Sequence, residues 1–184
     1  GFKTGLFVSP HISSFCERIQ VNGELLSQED FMINLDKVLT LCEQHTIPAT
    51  LFEITFIMSC LQFERKQCDV VVLEVGCGGE WDATNVIQPS TSIVCSVGFD
   101  HMRILGNTLE LIATNKAGIF KTNVPALIGP GCPYEPMKII ADSRNAPLYK
   151  LEDALRDLSQ QNILPSPGSH PLIPHDFSLL LNDT

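Results

Sequence analysis

The chain has 184 residues, of which 44% are hydrophobic and 18% charged. That is enough for one domain with its own core, and too apolar for a disordered acidic or basic tail. A formal net charge of −9 leaves no basic face for a phosphate backbone and excludes nucleic acid as an expected partner. No apolar run approaches the ~18 residues that cross a bilayer, so no membrane partner is expected either. Seven cysteines, odd in number and without a CxxC pair, fit reduced thiols in a cytosol-like compartment better than disulfides or zinc.

Leu6-Phe7-Val8 is an apolar run of strand length that ends at Ser9-Pro10-His11. The stretch from Ser9 to Gly23 reads as a surface loop, and its Glu17-Arg18 pair adds little if exposed. Ser27 ahead of Glu29 and Asp30 predicts a helix start, with Leu35, Val38, Leu39 and Cys42 on the buried face. Thr50 with Glu53 three positions later forms a capping box. Ile54, Ile57, Met58, Leu61 and Phe63 behind it predict a mostly buried helix. Val70-Val71-Val72-Leu73, β-branched and apolar on both faces, predicts a central parallel strand. Ser92 to Val97 predicts a second such strand adjacent to it. Thr108 caps a helix through Leu109, Ile112 and Lys116 to Gly118. Val124 to Ile128 is a strand whose Pro125 favours an edge or a strand start. A helix over Pro136 to Ser143 and a strand over Ala146 to Tyr149 complete the series.

Strands alternating with helices in this order mean an α/β fold, layered α/β/α with a mainly parallel sheet. After about Gln160 the composition changes, as Pro165, Pro167, Gly168, Pro171 and Pro174 crowd a loop before the apolar burst Phe177 to Leu181. The expected division is therefore 1–160 and 161–184.

In open parallel sheets, ligands bind beyond the carboxyl ends of the strands. Glu74 stands at such an end, followed by Val75-Gly76-Cys77-Gly78-Gly79, where a carboxylate can hold Mg²⁺ near phosphates. A glutamate that simply turns outward satisfies the same pattern. Asp100-His101 follow the next strand in the same way. Lys116 sits in the last turn of its helix, which equally suits a lysine that compensates the helix dipole. Asp82-Ala83-Thr84-Asn85 suits a turn and an N-cap.

Taken in order, these segments carry a signature. Gly5-Leu6-Phe7-Val8-Ser9-Pro10-His11, Glu17-Arg18-Ile19, Asn22-Gly23 and Leu73-Glu74-Val75-Gly76-x-Gly78-Gly79 come first. Asp82-Ala83-Thr84-Asn85, Asp100-His101, Leu105-Gly106-x-Thr108 and Lys116-Ala117-Gly118-Ile119 follow. Together they resemble the consecutive motifs of folylpolyglutamate and dihydrofolate synthases, amide ligases of the Mur-ligase-like group, from Gly1 to about Gly129.

The resemblance implies a P-loop-NTPase-like central domain, here over 1–160 and without its N-terminal phosphate loop. Residues 161–184 would hold a Pro-rich loop and the start of a further strand of the same domain. It also implies an acid–amino-acid ligase that uses ATP and Mg²⁺ to join L-glutamate to a folate or dihydropteroate. By that resemblance Ser9, Pro10 and His11 lie in a loop touching magnesium and folate, Glu74 ligates magnesium near ATP, and His101 ligates a second magnesium. Lys116 matches a lysine carbamylated in relatives, His101 and Lys116 are the expected catalytic residues, and Asp82 and Asn85 flank the folate or pteroate site. The full-length parent would be a monomer of the cytoplasm or mitochondrion, and the present chain alone inactive. Departures are Glu80 where arginine is frequent, Asn115 where an acid is frequent, and the absence of the family's phosphate loop, of the type G-T-x-G-K-G-[ST]. Two rival readings are a sibling cell-wall ligase and a non-catalytic module of the same fold.

Overall fold

The computed structural model describes residues 1–160; the expected unit over 161–184, with its Phe177 to Leu181 burst, lies outside the described residues. In chain order the elements are β1 (Thr4–Phe7), a 3-10 turn (Phe15–Arg18), β2 (Ile19–Val21), β3 (Glu24–Leu25), α1 (Gln28–Gln44) and α2 (Leu51–Arg65). Then come β4 (Val70–Leu73), a 3-10 turn (Ala83–Val86), β5 (Ser92–Val94), α3 (Met102–Leu105) and α4 (Leu109–Lys116). After a last 3-10 turn (Ala117–Ile119) follow β6 (Ala126–Ile128), α5 (Tyr134–Ser143), β7 (Leu148–Lys150) and α6 (Leu151–Gln160). α3 and α6 carry no signal read from the sequence.

The strands form two sheets, ordered β3-β2-β1-β4 and β5-β6-β7. β1 pairs with β4 in parallel and with β2 antiparallel, while β5, β6 and β7 are parallel throughout. The α/β layering is as expected, with one difference. β4 and β5 are not hydrogen-bonded neighbours: each is the terminal strand of its own sheet. Among the described residues β4 is thus an edge rather than a central strand, and its Val70, Val71 and Val72 remain 43%, 40% and 57% exposed. β6 is internal to its sheet, with Pro125 just ahead of it donating nothing and accepting the Ser92 amide at 3.1 Å.

The stretch read as a surface loop is also more ordered than expected. Val21 pairs with Glu24, so Asn22-Gly23 is a two-residue hairpin turn with φ of 53° and 81°. Asn-Gly tolerates the left-handed backbone that such a turn needs, because its twist matches the flanking strands.

Each half has its own core. In the first, Phe7, Ile19, Leu26, Val38, Phe56, Met58 and Phe63 pack together, with Phe7 at 5.7 Å from the Phe52 ring and 5.9 Å from Phe56. Gly5 belongs to this packing, since a Cβ there would stand 2.6 Å from the Phe63 ring. The caps form as predicted: Ser27 accepts from the Asp30 amide, and Thr50 and Glu53 complete their box. Leu39 and Ile57, placed on buried faces from their spacing, are instead 41% and 44% exposed. In the second half, small residues (Ala113, Ala117, Ala126, Ala141) bring helices close to the sheet around Phe120, Ile128 and Met137. Among the described residues no helix is long and apolar enough to cross a membrane.

The start of α1 is tied to the end of α2 through Asp30. Its carboxylate accepts from Gln62 Nε2 at 2.8 Å and pairs with Arg65 at 2.7 Å and Lys66 at 3.1 Å. The Gln62 bond, helped by Lys66 and Arg65, holds the Asp30 carboxyl below its ordinary value of 3.8 against the opposing cost of burial. A folded-state pKa below the unfolded one gives stability that is full above the unfolded value and lost as pH falls through the folded one. Asp30→Asn should therefore lower Tm at neutral pH, and the gap to wild type should close as the pH is taken well below 3.8. Thermal melts across that range check it.

Unpaired apolar edges are templates for pairing with another chain. The 184-residue chain should associate as its concentration rises, and Val72→Lys should suppress this by charging the more exposed edge. Sedimentation velocity decides; a strict monomer at every concentration refutes it.

Candidate functional site

The site is built where β4 ends. The Glu74 amide donates to the Phe7 carbonyl at 2.9 Å, one last ladder bond, and its side-chain Oε2 accepts the Ser9 amide at 2.6 Å. The ends of two parallel neighbours are thereby locked together, with the Ser9–Pro10 peptide in cis just beyond. Glu74 Oε1 and the Ser9 hydroxyl have no partner among the described residues, so both remain as hard oxygen donors.

Behind Glu74 the glycine-rich turn is organised by Asp82. Its Oδ2 accepts the Gly76 and Cys77 amides, each at 3.0 Å, and its Oδ1 accepts the Thr84 amide at 2.9 Å and hydroxyl at 2.6 Å. The turn then lies against the end of α4. Glu80 donates its amide to the Asn115 carbonyl at 3.1 Å, and a Cβ on Gly79 would stand 2.7 Å from the Lys116 carbonyl oxygen. On the opposing side a Cβ on Gly118 would meet the Glu80 backbone at 2.5 Å. Asn85 stitches the seam by donating Nδ2 to the carbonyls of Glu80 (3.0 Å) and Gly118 (3.1 Å). Lys121 donates to the Asn85 carbonyl at 2.6 Å, and Arg144 donates to the carbonyls of Gly118 and Phe120. Burial, and then the neighbouring Arg144, push the Lys121 ammonium below its ordinary value.

A cleft of about 670 Å³ opens between the edges of β4 and β5. Glu74, Gly78, Asn85 and Lys116 all line it. The structure therefore brings Glu74, Ser9 and Lys116 into one region. His101 does not line this cleft: it is exposed, caps α3 with φ of 48°, and holds its Nε2 3.6 Å from Asp100 Oδ2. Among the described residues no three His, Cys, Asp or Glu side chains gather closely enough to hold a metal. Mg²⁺ commonly takes one or two protein oxygens and completes its shell with water and phosphate. Glu74 with Ser9 fits that donor chemistry.

The Ser9–Pro10–His11 loop has organisers that its reading as a plain surface loop misses. Glu17 accepts the amides of Ile12, Ser13 and Ser14 at 2.9, 2.9 and 2.6 Å. These backbone bonds, Ile12 first, hold its carboxyl below the ordinary 4.5. Arg18 donates Nε to His11 Nδ1 at 3.0 Å. A signal for the first of these exists in the sequence, because Ser14 followed three residues later by Glu17 is a capping box.

No family profile matches the chain. It is 40% identical over 162 residues to the dihydrofolate synthase/folylpolyglutamate synthase of Bacillus subtilis, a match covering 84% of this chain and 37% of that protein. Among solved structures, E. coli FolC in complex with DHPP and ADP superposes with a TM-score of 0.77 at 33% identity, over 81% of this chain and 36% of that one. The bifunctional folylpolyglutamate synthase/dihydrofolate synthase of Yersinia pestis, complexed with AMPPNP and Mn ion, gives 0.75 at 31% identity, over 81% and 36%. The chain belongs to the folylpolyglutamate and dihydrofolate synthase family. It spans 37% of the length of the Bacillus relative. The α/β architecture of this synthase segment is that of its Mur-ligase-type structural neighbours.

The seam makes a prediction for this synthase segment. Gly79→Ala would drive a methyl into two carbonyl oxygens of the α4 end, at 2.7 and 2.9 Å, and backbone cannot swing away as a side chain can. A loss of about 1–3 kcal/mol in urea unfolding is expected. Gly98→Ala, whose Cβ would meet nothing within 4 Å, should be near neutral as the control.

Proposed function

We propose that the chain is a segment of an ATP-dependent ligase that joins L-glutamate to a folate or dihydropteroate through an acyl phosphate. The observation that carries this is the Glu74 carboxylate, fixed by the Ser9 amide at the end of β4 and sharing one cleft with Lys116. The resemblance of the motifs and the relatives' binding of DHPP and adenine nucleotides support it. In the reaction a carboxylate oxygen of the acid substrate attacks the γ-phosphorus of ATP and ADP leaves. The amine of glutamate then attacks the acyl carbon, and phosphate leaves as the amide forms.

Glu74 and Ser9 would hold Mg²⁺, which supplies charge neutralisation for the transferring phosphoryl group. His101 and, if carbamylated, Lys116 are proposed for a second magnesium, and both as the catalytic pair. Pro10, His11, Asp82 and Asn85 are proposed at the acid-substrate side. Both Asp82 carboxylate oxygens and the Asn85 Nδ2 are already bonded to backbone, so Asp82 acts there by shaping the loop, while the Asn85 Oδ1 is left as an acceptor. Residues 1–160 would be part of the central ATPase domain. The family's phosphate loop, of the type G-T-x-G-K-G-[ST], does not occur within these 184 residues and would have to be supplied from outside them. A monomeric parent of the cytoplasm or mitochondrion completes the proposal.

Two measurements test this. Residues 1–184 alone, given ATP, magnesium, folate and glutamate, should release no phosphate above background; turnover like that of a complete synthase refutes the reading. In the full-length parent, Glu74→Gln should cut kcat by roughly 10²–10³-fold through loss of charge beside the phosphoryl group. Lys116→Ala should also cut turnover strongly, with partial recovery on adding a short carboxylic acid. Normal turnover in Lys116→Ala would reduce that lysine to a helix-end charge.

A further inference from the structure

His11 is half-buried and enclosed by its own loop. Its ring lies 5.5 Å from Phe15, the Arg18 guanidinium sits 5.1 Å above that same Phe15 ring, and Phe15 meets Phe31 edge-on at 5.6 Å. Arg18 is a donor only, so the His11 Nδ1 that faces its Nε at 3.0 Å must be the unprotonated nitrogen. A neutral imidazole with a bare Nδ1 carries its hydrogen on Nε2. The Arg18 contact therefore consumes the ring's one lone pair and leaves a single outward-capable group, the Nε2–H donor.

We propose that Arg18 is a positioning residue that locks His11 in the Nε2–H tautomer, so that the Ser9–Pro10–His11 loop offers a hydrogen-bond donor to an anionic substrate oxygen and not a metal ligand. The arrangement divides the work within three residues. Ser9 and Glu74 keep unpartnered oxygens, suited to a hard cation, while His11 carries no available lone pair. Glu17 strengthens the division by bonding the Ile12, Ser13 and Ser14 amides, which fixes the chain on the far side of His11. The oxygen recognised is a carboxylate of the acid substrate or a phosphoryl oxygen of the nucleotide. Only that identity rests on the ligase reading; the tautomer stands without it.

The first test needs no activity. The 184-residue chain contains five histidines, and selective ¹⁵N-histidine labelling with long-range ¹H–¹⁵N correlation reads each tautomer, His11→Gln assigning the signal. At neutral pH, His11 should show a single neutral Nε2–H tautomer, and in Arg18→Gln it should average between tautomers. A wild-type His11 that is Nδ1-protonated or already averaged overturns the proposal, as does an unchanged signal in Arg18→Gln. In the full-length parent, Arg18→Gln should raise one substrate KM by about 10–100-fold, the loss of one bond to a charged group. A rise for the folate substrate identifies its carboxylate, and a rise for ATP identifies a phosphoryl oxygen. The half-saturating magnesium concentration should stay within about twofold. No change in either KM, or a matching rise in the magnesium requirement, overturns the assignment of a donor.

Discussion

The contact between the Gly78-Gly79-Glu80 backbone and the backbone from Asn115 to Gly118 is the constraint on which the rest depends. The two halves have separate cores and separate sheets, and among the described residues no strand pairs across them. What joins them is main chain against main chain at distances only glycine permits, with Gly79 and Gly118 facing each other's neighbouring residues. Asn85 and Arg144 then both donate to the Gly118 carbonyl at this close approach, and Lys121 holds Asn85 in place through its carbonyl. Such a joint is stiff because unpaired buried carbonyls are costly, so the bonds fix the seam in one arrangement. The Glu74 turn and the Lys116 helix end are consequently held at a set spacing before any ligand arrives.

That spacing explains why the carboxylate at a strand end is useful here. A glutamate at the tip of an edge strand would ordinarily sample many rotamers in water. Glu74 instead has one oxygen bound to the Ser9 amide and its own amide in the ladder to Phe7. The ordering cost of one side chain is met in the folded protein itself, which is the sense in which a site is preorganised. The same device recurs in Glu17 and Asp82, each of which uses a carboxylate to collect consecutive backbone amides in a turn.

Much of this is legible in the sequence because it is local. Ser27, Thr50 and Thr108 announce their helices by rules that need only a few neighbouring residues, and all three cap as read. The order of motifs identifies the family, and the α/β alternation identifies the architecture. What is not legible is whatever depends on the partner of an element. The run Val70 to Leu73 has the composition of a strand buried on both sides, yet composition cannot say whether a neighbour is present within the same chain. The hairpin at Asn22-Gly23 has its turn dipeptide in plain view, but the residues around it do not alternate strongly enough to look like strands. The pairing of Arg18 with His11 across seven positions follows from a 3-10 turn that no periodicity announces.

The exposed valines of β4 and the position of Glu74 are consequences of one fact. In a parallel sheet the catalytic end and the hydrogen-bonding edge belong to the same strand, so a neighbour that pairs with β4 also delivers its following turn beside Glu74. β5 faces the same cleft in parallel with its own sheet, and Lys116 lines it from the helix that follows. Any segment that satisfies the apolar edges of β4 and β5 must therefore enter beside two groups suited to phosphate and magnesium chemistry. Folding and function share that space: the hydrophobic demand of the edge and the electrostatic demand of the site are met by the same few residues. A substitution that merely blunts the edge, such as a charge on β4, would improve the behaviour of the isolated chain while altering the wall of the cleft that Glu74 and Lys116 share.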